Sequence, residues 1–273
     1  MPTIDRVEGP LPRWRLRDGE TYVELAPMRG GIVTAFVVEG TPVLFMDETT
    51  LLDSTKSVRG GVPLLFPIAG KPPEGSKLKQ HGFARNLDWK VTSAVADDAT
   101  ARIECALESN AETLALWPFP FEATLAVSLF DRRMMLEFSF RNTGTQPMPL
   151  HFGIHPYFVV GEKALVNVEG AEGVAFDNVA RVDREVGQID FAAGEVDLHF
   201  SPFDRRGTTL TRGDGKRVTL SWTEQFDTLV LWTLPGKPFV CVEPWTAKGQ
   251  APAELYVSPG ATERLAVAVS LDG

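Results

Sequence analysis

The chain has 273 residues, 44% hydrophobic and 23% charged, a globular balance with enough apolar material for a sizeable core. Its formal net charge of -9 repels a phosphate backbone, which excludes nucleic acid as an ordinary partner. An anionic small molecule would need a local basic pocket to overcome the same field. Cys105 and Cys241 are the only cysteines and show no metal-type spacing, so they read as reduced core residues.

Residues 1–10 carry charges early and lack a continuous apolar core, unlike a secretory signal. No apolar run approaches the ~20 residues needed to span a bilayer, and the expected compartment is the cytoplasm. Strand candidates then succeed one another at residues 22–25, 32–38 and 43–46. The segment 59–67, Arg-Gly-Gly-Val-Pro-Leu-Leu-Phe-Pro, breaks the pattern. Two glycines beside Arg59 let the backbone approach something closely, and Pro63 and Pro67 stiffen the rest of the segment, although an irregular loop with a surface arginine fits equally well. Residues 80–85, Gln-His-Gly-Phe-Ala-Arg, place His81 and Arg85 around a glycine. They could clamp sugar hydroxyls or a phosphate, since arginine offers a planar donor fork; alone, a backbone-satisfied histidine and a surface ion pair is the simpler reading.

Further strands are expected at 89–95, 101–107 and 122–130. In 133–140, Met134, Leu136, Phe138 and Phe140 recur at period two, which suits a half-buried antiparallel strand. Residues 151–158, His-Phe-Gly-Ile-His-Pro-Tyr-Phe, come next. Extended geometry would put His151 and His155 on one side. Gly153 and Pro156 argue against the helix that a His-x3-His metal pair needs, so His155 reads as held in a sugar-stacking cleft or as a core residue. Alternation returns at 216–222, 229–233, 239–242, 254–257 and 264–271. Residues 239–245 end an apolar strand in Glu243-Pro244-Trp245. A partly desolvated carboxylate there suits a general base, whereas an exposed strand-end glutamate is common.

Turn signals at 142–144, 214–215 and 235–236 separate these runs, and no stretch keeps a helical period over three turns. Many short strands with frequent turns imply an all-β chain, a large antiparallel β-sandwich. No composition shift marks a boundary, so one domain over residues 1–273 is expected.

Singly the four irregular segments are weak. In this order they resemble the aldose 1-epimerase, or galactose mutarotase-like, superfamily, including its glucose-6-phosphate 1-epimerase branch. The resemblance runs from about residue 20 onward and rests on 59–63, 80–85, 155–158 and 243–245. It implies a β-supersandwich with sugar bound in an open cleft of one sheet. By position, His155 matches the general acid and Glu243 the general base, while Arg59 and His81 match residues that hold ring substituents. Asp197 resembles the substrate-binding aspartate, with Asp204 and Asp227 as rivals.

Anomer exchange suits these residue types, because an imidazole cycles near neutrality and a carboxylate can accept the hydroxyl proton. No metal, nucleotide or redox cofactor is required, and the chain has neither a P-loop nor a G-x-G-x-x-G after a strand. Trp117, Phe83, Tyr157 and Trp245 are candidates for stacking on a pyranose. Arg59 and Arg85, with Lys79, could hold a phosphate. Residues 64–70 lack the tryptophan common after the prolines in the phosphate branch, which sets the free aldose ahead. The expected partner is a small-molecule sugar or sugar phosphate, without nucleic acid or membrane, acting on a monomer or homodimer. A silent carbohydrate-binding module and a cupin-type metal enzyme using His151, His155 and His199 are the rivals from other classes.

Overall fold

Period-two patterning dominates the computed structural model, which describes residues 1–247 and 255–273. All pairings between named strands are antiparallel, as the alternation and short turns require. One eight-stranded sheet runs in the order Asn167–Val168, Gly207–Thr211, Arg217–Trp222, Thr262–Asp272, Arg133–Asn142, Phe121–Phe130, Ala101–Glu108, Lys90–Ala96. A second runs Val182–Val186, Gly173–Asp177, Val196–Phe200, Thr228–Thr233, Phe239–Trp245, Gly153–Ile154, Leu64–Leu65, with Tyr157–Val159 also paired to Phe239–Trp245. Five N-terminal strands between Thr3 and Pro42 form a further sheet.

Met134, Leu136, Phe138 and Phe140 all point inward at no more than 2% exposure, with exposed or half-buried residues between them. Val218, Leu220, Leu265, Val267 and Val269 join them. The two large sheets meet through aromatic rings. Phe152, on the entry to Gly153–Ile154, contacts Phe138 and Phe140 at ring-centroid distances of 4.6 and 4.9 Å. Phe66 lies 4.8 Å from Phe140. Cys105 and Cys241 are free and buried.

Two expectations need correction. Residues 43–46 make only isolated bridges, Leu44 to Phe158 in the strand Tyr157–Val159 and Met46 to Gly60 in the 59–67 loop, because the stretch changes partner within four residues. Strands at Thr3–Val7, Arg13–Asp18, Gly173–Asp177, Val182–Val186, Val196–Phe200 and Gly207–Thr211 were not expected. In several of these, charged side chains occupy the outward positions and mask the apolar alternation. Of the candidate at 254–257, residue 254 lies outside the described residues, and Leu255–Val257 is a strand.

Two short helices, Glu48–Leu52 and Ala111–Leu116, are too brief to show periodicity. Each is started by a side-chain cap, Asp47 and Asn110 respectively. Among the described residues no helix is long and apolar enough to cross a membrane.

Phe152 is 1% exposed at the junction of the sheets. Phe152→Ala should lower the unfolding free energy by about 3–5 kcal/mol in urea titration; a loss below about 1 kcal/mol would contradict its place in the interface core.

Candidate active site

Alternation along the second sheet sends one set of side chains to the main core and the other set to a concave face. On Phe239–Trp245, Val240 and Val242 join the main core, leaving Cys241, Glu243 and Trp245 opposite. On Thr228–Thr233, Leu229 and Leu231 go to the core while Val230 and Trp232 face the other way. Leu198 and Phe200 do the same on Val196–Phe200, turning Asp197 and His199 outward. This face lines a cavity of about 680 Å³. All six residues singled out in the sequence, Arg59, His81, Arg85, His155, Asp197 and Glu243, stand on its wall. The rivals Asp204 and Asp227 do not.

Glu243 is 1% exposed and His155 9%, with His155 Nε2 3.4 Å from Glu243 Oε1. The other carboxylate oxygen accepts a hydrogen bond from Trp245 Nε1 at 3.2 Å. Gly153 makes room for that indole: a Cβ there would lie 2.5 Å from Trp245 Cδ1. The His155 backbone N–H donates to Pro63 O at 3.0 Å, and Tyr157 N–H to Gly61 O at 2.9 Å. These bonds tie the 155–157 segment to the 59–67 loop. The His155 ring stacks on Tyr157, with centroids 4.7 Å apart and planes 10° apart, and meets Trp232 edge-on. Its Nδ1 is buried with no protein partner among the described residues.

Burial pushes the Glu243 carboxyl well above its ordinary range, and the charge of Asp197 adds to this, while the indole N–H opposes it. Burial likewise lowers His155 to about 3, helped by the charge of Arg85. The two groups are thus arranged to hold one proton between them.

His81 sits in the left-handed region at φ 65°. Its Nδ1 accepts from the Gly70 N–H at 2.9 Å, which in the neutral ring leaves the proton on Nε2, facing Gln80 at 3.3 Å. Burial, with the neighbouring charges of His155 and Arg85, holds His81 well below an ordinary imidazole. Gly82 comes next at φ 68°, where a Cβ would meet Phe66 O at 2.2 Å. Arg85 Nη2 donates to Gln80 O at 3.0 Å, whereas its Nε is buried without a partner among the described residues.

The close approach expected of the 59–61 glycines is to backbone. A Cβ on Gly60 would lie 2.5 Å from Met46 Cα, and one on Gly61 would lie 2.1 Å from Val33 O. Arg59 extends over Trp232 at 5.8 Å. Both Asp197 oxygens are engaged, one by His199 Nε2 at 2.9 Å and the other by Asn178 Nδ2 at 2.6 Å.

The sequence reading missed Trp232, Phe176, Asn178, Arg181 and Lys71 on the wall, and took His199 only as a metal ligand. The alternation of Val196, Leu198 and Phe200 around Asp197 and His199 was the available signal. Trp117 and Phe83 belong to the core, packed on Phe66, and not to the cavity. Lys79 is off the wall and Lys71 on it. His151 does not share a side with His155, because the run is not uniformly extended; it bonds to Ala247 O at 3.0 Å. The cupin-type set therefore does not assemble. The potential donor group present is His155, Cys241 and Glu243, within 4.8 Å of one another, with Cys241 behind the wall.

Residues 12–261 match the family model for aldose 1-epimerase. A protein of Cenchrus ciliaris named "Putative glucose-6-phosphate 1-epimerase" is 28% identical over 256 residues, covering 86% of this chain and 74% of that one. The solved structure of the Slr1438 protein from Synechocystis sp. PCC 6803 has a TM-score of 0.91 at 32% identity over 95% of both chains. A Salmonella typhimurium structure described as "a putative mutarotase (YeaD)" gives a TM-score of 0.83 at 22% identity, over 98% of this chain and 93% of that one, a likeness of fold.

Nitrogen-15 NMR of the imidazoles should find His81 neutral, with its proton on Nε2, at pH values well below the ordinary 6.5. A ring titrating near 6.5 would contradict the buried arrangement.

Proposed function

The chain belongs to the aldose 1-epimerase family and is an isomerase of the epimerase type, and from that premise we propose that it interconverts the α and β anomers of a hexose through Glu243 and His155. The observation that carries this reading is the 3.4 Å approach of an imidazole nitrogen to a carboxylate oxygen on the wall of one cavity.

In the ring-opening half, Glu243 takes the proton from the anomeric hydroxyl as C1–O1 becomes a carbonyl. The C1–O5 bond breaks, and His155 supplies the proton that O5 gains. Rotation about C1–C2 presents the other face of the aldehyde, and closure runs both transfers backward. No atom is gained or lost, and the pair returns with the proton it began with. Opening converts a carboxylate and an imidazolium into a carboxylic acid and a neutral imidazole. Burial favours the neutral pair, so the carboxylate and imidazolium that begin the step arise from it by transfer of the proton from Glu243 to His155 across the 3.4 Å between them. His81 Nε2–H and the Asp197 carboxylate offer a donor and an acceptor to ring hydroxyls, and Tyr157, Trp232 and Trp245 supply aromatic surface.

A second reading, a hexose 6-phosphate as the substrate, is favoured by the cations on the wall. Arg59, Lys71, Arg85 and Arg181 converge there in a chain of net charge -9. Among the described residues neither Arg59 nor Arg85 has a carboxylate within ion-pair distance. The name carried by the Cenchrus ciliaris relative agrees with this choice. The free aldose set ahead by residues 64–70 becomes the alternative.

Polarimetry or NMR exchange should show the protein speeding the approach of fresh α-D-glucose 6-phosphate to anomeric equilibrium. Glu243→Gln should cut that acceleration about 100- to 10,000-fold with the fold intact; full activity would remove Glu243 from the base role. Because burial lowers His155 to about 3 and raises Glu243, the proton the pair shares sits on the carboxyl, and the imidazole takes a second one only well into acid. The kcat/KM profile should therefore show no imidazole acid limb between about pH 5 and 7. An acid limb at about 6.5 would show an ordinary, solvated imidazole instead. Arg85→Ala should reduce kcat/KM for the 6-phosphate by roughly 10- to 100-fold, the loss of a charge-assisted hydrogen bond. Free glucose should suffer much less, and equal losses on both sugars would count against a phosphate contact.

A further inference from the structure

Arg29 is 9% exposed and faces no substrate, yet its guanidinium reaches into the segment that leads to Arg59. Its Nε donates to Leu51 O at 3.0 Å, and its Nη2 to Asp53 O and Lys56 O, both at 2.9 Å, and to Thr50 O at 3.4 Å. Helix Glu48–Leu52 has no basic residue in its last turn, so the cation that satisfies its terminal carbonyls arrives from another part of the chain. The same helix holds Arg59 directly. The Arg59 N–H donates to Thr50 Oγ1 at 2.9 Å, and Asp47 N–H donates to Arg59 O at 2.9 Å.

The backbone next to Arg29 grips the second cavity arginine. Gly30 N–H donates to Leu87 O at 3.1 Å, and a Cβ on Gly30 would lie 2.2 Å from Arg85 O. Trp89 N–H donates to Pro27 O at 3.0 Å. One short turn, Pro27–Arg29 with its glycine cap, thus touches both arginine-bearing loops. His155 is tied to a later part of the same 59–67 loop, which has contacts of its own. His155 hangs on Pro63 O, and the neighbouring Gly61 and Val62 hang on Phe45 O at 2.7 Å and Val33 O at 2.9 Å. A disturbance at Arg29 therefore acts first on the two arginines and reaches His155 through the separately bonded residues 61–63.

We propose that Arg29 is a positioning residue, setting the separation of Arg59 and Arg85 and hence the grip on the anionic end of the substrate. This rests on the hexose 6-phosphate reading above. Burial lowers Arg85's proton affinity and the nearby charge of Arg29 lowers it further, so a bound anion relieves a repulsion that the turn builds in.

The test compares Arg29→Met, Arg29→Lys and Thr50→Val with the unaltered protein. Thr50→Val removes the acceptor of the Arg59 N–H, together with the hydroxyl's own bond to Asp47 O, and spares the buried guanidinium, so it answers even where Arg29→Met fails to fold. Both Arg29→Met and Thr50→Val should raise KM for glucose 6-phosphate about 10-fold with kcat within about 2-fold, and Arg29→Lys should recover part of the loss. For free glucose, kcat and KM should stay within about 2-fold. Amide hydrogen exchange should quicken about 10-fold or more across residues 53–59 and stay unchanged across 239–245. Unchanged exchange at 53–59, or a kcat loss shared equally by both sugars, overturns the proposal. An unaltered protein inactive on both sugars would sink the epimerase reading instead, and the exchange comparison would still decide whether Arg29 holds the loop.

Discussion

A carboxylate set on a strand covered on both faces is the constraint on which the rest of the site depends. Phe239–Trp245 is buried at every residue, so Glu243 has no route to bulk water along its own strand. An ionised carboxylate in such a place costs several kcal/mol unless its surroundings compensate. Here the compensation is local: an indole N–H on one oxygen and an imidazole facing the other. Three of the chain's four histidines, His81, His155 and His199, line the same cavity, so groups able to take or give a proton surround the buried acid.

The cavity-lining segments around His155 and Glu243 were legible because their residue types contradict the strands that carry them. A glutamate closing an apolar run, or a histidine ahead of proline and two aromatics, is costly in a core and persists where chemistry uses it. The same logic found Arg59, His81 and Arg85, whose glycines mark sites where backbone meets backbone. Asp197 was recovered through resemblance, on a strand the alternation should have revealed. Val196, Leu198 and Phe200 are separated by an aspartate and a histidine, which hid a period of two behind chemically interesting residues. Phe176, Asn178 and Arg181 were illegible for another reason. They come from a hairpin whose exposed strand reads Val-Asp-Arg-Glu-Val, with polar residues on both faces.

Charge gives the fold a second theme. The molecule is acidic overall, yet its cavity gathers arginines and a lysine. Such a contrast focuses field lines into the cleft and makes capture of an anion sensitive to salt. It also requires the arginines to be held apart from carboxylates that would neutralise them. Elsewhere arginines are spent on pairing, as Arg15 is with Glu24 and Arg217 with Glu169. Arg59 and Arg85 at the cavity instead make main-chain contacts, through the Arg59 carbonyl and the Arg85 guanidinium, which restrain position without cancelling charge.

Gly153 carries a consequence well beyond its size. The indole beside Glu243 occupies the volume where a methyl on residue 153 would stand. A neighbouring strand's missing side chain therefore bears on how readily the buried acid lets go of its proton, because the indole N–H favours the charged form. The proton affinity of the buried acid is thus adjustable from a position off the cavity wall, by the smallest change amino-acid chemistry allows.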